Sequence, residues 1–244
     1  MALAPTGHRP WPPPDRPWVM RQRWLDVLFA HWAVPAAAVR ALVPEALELD
    51  TYDGRAWLGV VPFRMAGVRP RLVPPLPGLP AFPELNVRTY VTVGDKPGVY
   101  FFSLDAGSTV AVRVARRLFH LPYYDAAFAL RRDSRGLRYG AERTHRGATA
   151  ASLDLRYRAA GDAFTAEPGA LDHWLTERYC LYAVDGDRVW RGEIHHAPWP
   201  LQPATAVFTR NTMAAAAGIE LPDEAPALRF AAAIDVVVWP LQRL

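Results

Sequence analysis

Apolar and polar residues alternate with a period of two along much of this chain. That spacing puts every second side chain on one face of an extended strand. Leu47 and Leu49 precede Asp53-Gly54, and Ala56, Leu58 and Val60 alternate after it. Asp-Gly is a favoured two-residue turn, so the pattern predicts a hairpin. Residues 84–93 read as a strand, Gly94-Asp95-Lys96-Pro97-Gly98 as a turn, and 99–104 as the returning strand. Tyr124, Ala126, Phe128 and Leu130 alternate, and Ser134-Arg135-Gly136 turns the chain back. Leu153, Leu155 and Tyr157 mark another strand. Residues 179–184 and 188–195 flank Asp185-Gly186-Asp187 as a further hairpin. Residues 18–32 and 230–239 have the Trp, Val and Phe content of strands.

Four segments carry the helical period instead. Residues 35–43 begin with Pro35 and place Val39, Leu42 and Val43 on one face. Ser108 can cap a helix reaching Phe119, with Val110, Val114, Ala115 and Leu118 as its apolar stripe. Residues 168–178 turn Leu171, Trp174 and Leu175 inward, and residues 212–217 end at Gly218. Many strands joined by hairpins, with a few isolated helices, predict an α+β fold that is mainly antiparallel β. The expected form is a barrel or sandwich with the helices outside. A β-barrel of this size commonly holds one ligand in its mouth.

Proline divides the chain. Pro10, Pro12, Pro13, Pro14 and Pro17 exclude a helix interior, so residues 1–17 are expected as an extended arm before a single domain over 18–244. Pro70, Pro74, Pro75, Pro77, Pro80 and Pro83 predict a long loop over 64–83, suited to a lid. No apolar signal core lies in 1–17, and no run of about 18 apolar residues occurs to span a membrane. Cys180 is the only cysteine, so no internal disulfide forms. A cytoplasmic protein is expected.

Net charge is +4, and Lys96 is the only lysine among the 28 basic residues. The densest basic run is Arg131, Arg132, Arg135, Arg138, Arg143 and Arg146, with Tyr139 its one interleaved aromatic residue. A nucleic-acid surface needs stacking platforms as well as charge, so a solvated hairpin is the better reading and no nucleic-acid partner is expected.

Five runs resemble a known family. They are Phe82-Pro83-Glu84-Leu85-Asn86-Val87-Arg88-Thr89-Tyr90-Val91, Gly98-Val99-Tyr100-Phe101-Phe102-Ser103-Leu104-Asp105-Ala106, Leu121-Pro122-Tyr123-Tyr124, Leu175-Thr176-Glu177-Arg178-Tyr179, and His195-His196-Ala197-Pro198-Trp199-Pro200-Leu201-Gln202. Together, over roughly residues 18–240, they resemble the YqjF-like family of unknown function. That family is similar to the acetoacetate decarboxylase-like superfamily, which implies a closed antiparallel barrel around a central cavity. The decarboxylases use a Gly-Arg-Glu helix segment and a Phe-Pro-Lys-Lys turn, where one lysine forms an imine and its neighbour lowers its pKa. Here Ala115-Arg116-Arg117-Leu118-Phe119 stands at the helix segment and Leu121-Pro122-Tyr123-Tyr124 at the turn. Both lysines are therefore tyrosines, and Lys96 sits in a turn expected to be solvated. The resemblance thus implies the fold and the cavity without imine-forming decarboxylation. Arg116 matches the superfamily arginine, and Glu84, two residues after Phe82, resembles its Tyr-x-Glu carboxylate.

Period-two geometry sorts the candidate site. Glu84, Asn86 and Arg88 share one strand face, while Leu85, Val87 and Thr89 share the other. Such a polar face fits either solvent or a cavity, and the resemblance favours the cavity. Glu84 could act as a general base or hold a hydroxyl, and Arg88 could anchor a carboxylate. Ser103 and Asp105 are candidate binding residues on the partner strand, although Asp105 also suits a turn or helix cap. Arg116 in a mostly apolar helix implies a paired charge. Tyr123 and Tyr124 face opposite sides, so only one can reach the cavity, where its phenol could donate to a substrate oxygen or act as a general acid; core packing is the alternative for either. Glu177 or Arg178 could reach it too, or form an ion pair at the helix end. Adjacent His195 and His196 cannot easily share an ion, and Glu193 with His195 makes no established ligand pattern. No metal or cofactor is expected. One histidine, with His196 the candidate, could still transfer protons. Cys180 reads as a core filler.

The expectation is a small-molecule cavity protein: an enzyme using acid/base chemistry on an oxygenated or carboxylated compound, or a non-catalytic binding module on the same barrel. Its expected partner is a ligand in the cavity, with no membrane. Self-association as a homo-oligomer is left open.

Overall fold

Strands carry the architecture, because aromatic and β-branched residues at alternate positions can pack on both sides of one sheet. The computed structural model describes residues 4–73 and 81–244. In chain order the elements are β1 (Met20–Val34), α1 (Ala36–Arg40), β2 (Glu48–Leu49), β3 (Ala56–Pro70), β4 (Phe82–Val93) and β5 (Lys96–Ala106). There follow α2 (Thr109–Phe119), β6 (Tyr123–Asp133), β7 (Gly136–Arg143), β8 (Ser152–Ala159), α3 (Leu171–Thr176), β9 (Cys180–Asp185) and β10 (Arg188–His195). The chain ends with β11 (Gln202–Asn211), α4 (Met213–Ala216), β12 (Ala227–Val238) and β13 (Gln242–Arg243).

Nine strands close on themselves in the order β5-β6-β7-β8-β11-β12-β1-β3-β4 and back to β5. Pairing is antiparallel except at β5–β6 and β5–β9. The expected closed, mainly antiparallel barrel with short outer helices is thus present. A second closure uses the remaining edges: β9 pairs with β5 at Val99 and Tyr100, and β10 pairs with β12 at Val237 and Val238. The strands β12-β1-β3-β4-β5 therefore form a shared wall with material on both faces. One face packs Leu28, Leu58, Val60, Leu85 and Val87 against Tyr139, Leu155 and Tyr157 of β7 and β8. The opposite face carries Phe29, Val61 and Phe63, which pack with Leu175 and Trp199.

Two irregularities steer that second face. Asp26 adopts a φ of 53°, and the β1–β3 register shifts between Leu25 and Ala30. The extra residue lets Gln22 and Trp24 share a face with Val27 and Phe29, which strict alternation forbids. The Asp26 carboxylate is gripped by Arg64 at 2.6 and 2.8 Å and by Arg132. Its carbonyl accepts the Tyr157 hydroxyl at 2.7 Å.

Several sequence expectations need correction. The Asp53-Gly54 turn forms, but residues 48–49 pair with β4 rather than with β3, so no long hairpin is built there. The proposed loop over 64–83 is strand through Pro70, because residues 64–66 and 69–70 pair with β1, and strand again from Phe82. Residues 74–80 lie outside the described residues. In the helix at 109–119, Val110 of the expected stripe is exposed, Ala115 packs inward as expected, and Val112 is buried as well. The strand β11 has no counterpart in the sequence reading; its small Ala204 and Ala206 alternate too weakly to announce it.

The proline-rich arm runs along β10. His8 Nε2 donates to the His196 carbonyl at 2.9 Å, and the buried Arg9 pairs with Glu193 at 3.1 Å. Trp11 Nε1 and Lys96 also reach the Glu193 carboxylate. Among the described residues no helix is long and apolar enough to cross a membrane.

Gly98 marks the tightest joint between wall and second closure. A Cβ there would meet the Cys180 carbonyl, its Sγ and the Tyr182 ring, each at 2.8 Å. Gly98→Ala is expected to cost about 1–3 kcal/mol, since backbone must shift to admit the methyl. A urea unfolding midpoint unchanged from the parent protein would show that β9 moves freely.

Candidate functional site

Between the second face of the wall and β9, β10 and α2 lies a cavity of about 190 Å³. Most of its lining is apolar, including Phe29, Val61, Phe63, Phe101, Leu104 and Trp199. Its polar groups come chiefly from β4, where Glu84, Asn86 and Arg88 all line it while being 3%, 5% and 8% exposed. Alternation in β4 is thus cavity against core, with neither face on the outer surface. Thr176, Arg178 and His196 complete the polar lining on the far side, and Gln22 adds an amide.

Glu84 is the chemical centre of this arrangement. The Tyr123 hydroxyl donates to Glu84 Oε2 at 3.1 Å. The Tyr139 hydroxyl donates to the Glu84 carbonyl at 2.8 Å and so pins the backbone. Burial pushes the Glu84 carboxyl up from the ordinary 4.5 to about 8, and the negative charge of Asp105 adds to this; the Tyr123 hydrogen bond opposes it. Burial, with Glu84 beside it, also holds the Tyr123 phenol well above its ordinary value. At neutral pH the pair is a protonated acid beside a neutral phenol.

Arg88 reaches the Tyr90 hydroxyl at 3.4 Å and the Leu175 carbonyl at 3.3 Å through Nη2, and its Nε has no partner. Tyr90 donates to the Leu175 carbonyl at 2.8 Å, so His31 Nε2–H donates to the Tyr90 oxygen at 2.6 Å. Burial, and then the charge of Arg88, holds the His31 imidazole neutral. Asn86 Oδ1 is buried without a partner. Arg178 is neutralised by Asp50 at 2.6 Å and lies over the Trp174 ring at 4.4 Å. His196 lines the cavity, stacks on Tyr179 at 4.7 Å and donates from Nδ1 to the Ala197 carbonyl at 2.8 Å. Burial lowers its pKa to about 4, so it too is neutral.

Five sequence candidates lie elsewhere. Tyr124 turns away from the cavity and stacks under Arg143 at 4.2 Å, as its place next to Tyr123 in a strand demands. Ser103 and Asp105 pair with Val87 and Leu85, on the core face. A bulge between Val87 and Arg88, with Phe102 as the extra residue, moves Leu104 to the cavity in place of Ser103. Asp105 instead holds Arg143 in a bidentate pair at 2.6 and 2.8 Å. Arg116 is exposed; it donates to the Tyr123 carbonyl at 2.9 Å and touches His145 at 3.1 Å. Glu177 does not line the cavity: it accepts the Tyr179 hydroxyl and the Trp199 backbone N–H. His31 and Tyr90 were missed, because an isolated histidine in an apolar strand carries no sequence signal. Among the described residues no group of three or more His, Cys, Asp or Glu side chains could hold a metal ion.

A closed barrel of this topology is the acetoacetate decarboxylase-like fold. The fold matches an acetoacetate decarboxylase from Legionella pneumophila with a TM-score of 0.62 at 11% identity, covering 98% of this chain and 93% of that one. It also matches the enduracididine biosynthesis enzyme MppR complexed with pyruvate, with a TM-score of 0.59 at 14% identity over 99% and 98% of the two chains. By sequence the chain belongs to the DUF2071 family, an uncharacterized conserved protein family whose model matches residues 21–235. It is 48% identical over 230 residues to the uncharacterized protein YqjF of Bacillus subtilis (strain 168), covering 94% of each chain.

The raised Glu84 carboxyl has a stability signature. Below pH 4.5 both folded and unfolded chains hold the proton; between 4.5 and about 8 only the folded chain keeps it. Stability therefore falls as pH rises through that window. Glu84→Gln removes the effect, so its stability relative to the parent is expected to climb from pH 4.5 to 8, with a ceiling of about 5 kcal/mol. Paired urea titrations at the two pH values check this, and a pH-independent difference would mean an ionised Glu84.

Proposed function

We propose that the protein is an enzyme that acts on a small oxygenated or carboxylated compound by acid/base chemistry in this cavity. The carrying observation is the Glu84 carboxyl buried at the cavity wall with the Tyr123 hydroxyl 3.1 Å from its Oε2, a setting in which burial raises its pKa to about 8. A carboxyl with a pKa near 8 can both give and take a proton close to neutral pH, which suits general acid/base work. After Glu84 gives its proton to a substrate oxygen or carbanion, the Tyr123 hydrogen bond stabilises the carboxylate left behind. The surrounding apolar wall keeps water from competing for that proton.

An imine route has no nucleophile here. Tyr123 and Tyr124 stand where the decarboxylase-like pattern has lysines, and Lys96, the only lysine, is held by Glu193 at 3.2 Å away from the cavity lining. The pyruvate-complexed neighbour of the same fold supports a small carboxylate as the ligand class. The basic hairpin supports no nucleic-acid role, since Arg132, Arg138 and Arg143 each pair with an aspartate.

The test is a thermal-shift screen of oxo acids, hydroxy acids and aldehydes, followed by turnover assays on each ligand found. Glu84→Gln and Tyr123→Phe are expected to keep ligand binding and to lose turnover by about 10²–10⁴-fold. Tyr124→Phe is expected to match the parent. Full turnover in Glu84→Gln would overturn the assignment, and binding with no turnover of any ligand would leave a binding module on the same barrel.

A further inference from the structure

We infer that the cavity takes a monocarboxylate with an apolar body, its carboxylate held by the Arg88 guanidinium. This rests on the cavity being the ligand site proposed above. It adds the charge, the orientation and the polarity of the molecule.

The argument begins with an electrostatic imbalance. A buried cation is tolerated when a carboxylate faces it. Three other arginines with buried side chains satisfy this rule: Arg9 with Glu193, Arg143 with Asp105, and Arg178 with Asp50. Arg88 has only neutral acceptors, the Tyr90 hydroxyl and the Leu175 carbonyl, at 3.4 and 3.3 Å. Among the described residues it forms no ion pair. Its Nε is left without a partner, and so are Asn86 Oδ1 beside it and Arg178 Nη2 elsewhere in the cavity lining.

Counting charges on the wall then fixes the ligand's charge. Glu84 is protonated at neutral pH, and Arg178 is cancelled by Asp50. His196 is neutral. One positive charge remains, that of Arg88, and one negative charge balances it. A planar guanidinium fork matches a carboxylate in shape as well as in charge. A dianion would bring a second charge with no partner, and a neutral ligand would leave Arg88 as it is.

The remainder of the wall sets the body. Beyond the β4 polar face the lining is mostly Phe, Val, Leu, Met and Trp. Arg88 bonds toward Tyr90, away from Glu84. Arg88 lies four positions along the strand from Glu84, about 13 Å of backbone. A carboxylate on Arg88 thus sends its body past Asn86 toward the Glu84–Tyr123 pair, through apolar surroundings. Acetate-sized acids leave that length empty.

Isothermal titration of the native protein with hexanoate, octanoate and phenylacetate, against octanamide, octanedioate and acetate, tests this directly. Octanoate or phenylacetate is expected to bind at least tenfold tighter than octanamide, octanedioate and acetate. Glu84→Gln is expected to retain this binding, whereas Arg88→Gln loses it at least tenfold. Equal affinity for octanoate and octanamide, or for octanoate and acetate, overturns the inference on native protein alone, whether or not Arg88→Gln folds. So does the absence of binding by every monocarboxylate, or unchanged octanoate affinity in a folded Arg88→Gln. Binding through Arg88 without any turnover dependent on Glu84 would leave this inference standing and sink the enzymatic reading.

Discussion

A β-strand covered on both faces has no water to offer its polar side chains, and β4 is such a strand. Leu85 and Val87 fill the core shared with β7 and β8, while Glu84, Asn86 and Arg88 enter the cavity at less than a tenth exposure each. Every property of the site follows from that double burial. The strand cannot twist its polar groups toward solvent without dragging its apolar set out of the core, because a one-residue slip exchanges the two faces. Neighbouring strands lock the register from both sides, with Phe63 opposite Glu84 on β3 and Ala106 opposite it on β5.

The electrostatics are a direct consequence. In a low-dielectric wall a lone carboxyl keeps its proton, and Glu84 does so with Tyr123 as its companion. Histidines in the same surroundings give theirs up, as His31 and His196 do. Arginine cannot take that route, since its guanidinium stays charged under all ordinary conditions. It must be paired, hydrogen-bonded or offered to a ligand. The protein uses the first solution for Arg9, Arg143 and Arg178, and leaves Arg88 with the second alone.

How much of this was legible in the chain depended on the range of the interaction. The polar face of β4 could be read, because alternation is a local property of consecutive residues. So could the β4–β5 and β9–β10 hairpins, where the turns lie between their own strands. Bulges were not legible. The extra residue at Phe102 inverted the expectation for Ser103 and Asp105, and the positive φ at Asp26 depends on Arg64 and Arg132, which are remote in sequence. The proline-rich run after Met65 was read as loop, yet Pro70 is tolerated at the end of β3 and Pro83 within β4. Pro83 stands opposite Arg64, and its own carbonyl accepts the Gly107 N–H at 3.1 Å. Pairing from other parts of the chain overrode the local signal in each case.

Adjacent residues of a strand face opposite ways, and this explains how a decarboxylase-like scaffold can persist without the lysine pair of that superfamily's pattern. Tyr123 faces the cavity and completes the Glu84 pair; Tyr124 faces outward and lies flat beneath Arg143, which Asp105 holds from the other side. The two tyrosines therefore have different surroundings, one at the cavity and one beneath an arginine, from consecutive positions. Arg116 shows the same separation of sequence position from role. The resemblance matches it to the superfamily's arginine, yet its guanidinium stays at the surface and binds the Tyr123 carbonyl at 2.9 Å. That bond ties α2 to the first residue of β6. A surface side chain thus holds the backbone of a residue whose own side chain lines the cavity, so the two sides of β6 are tied together at its first residue.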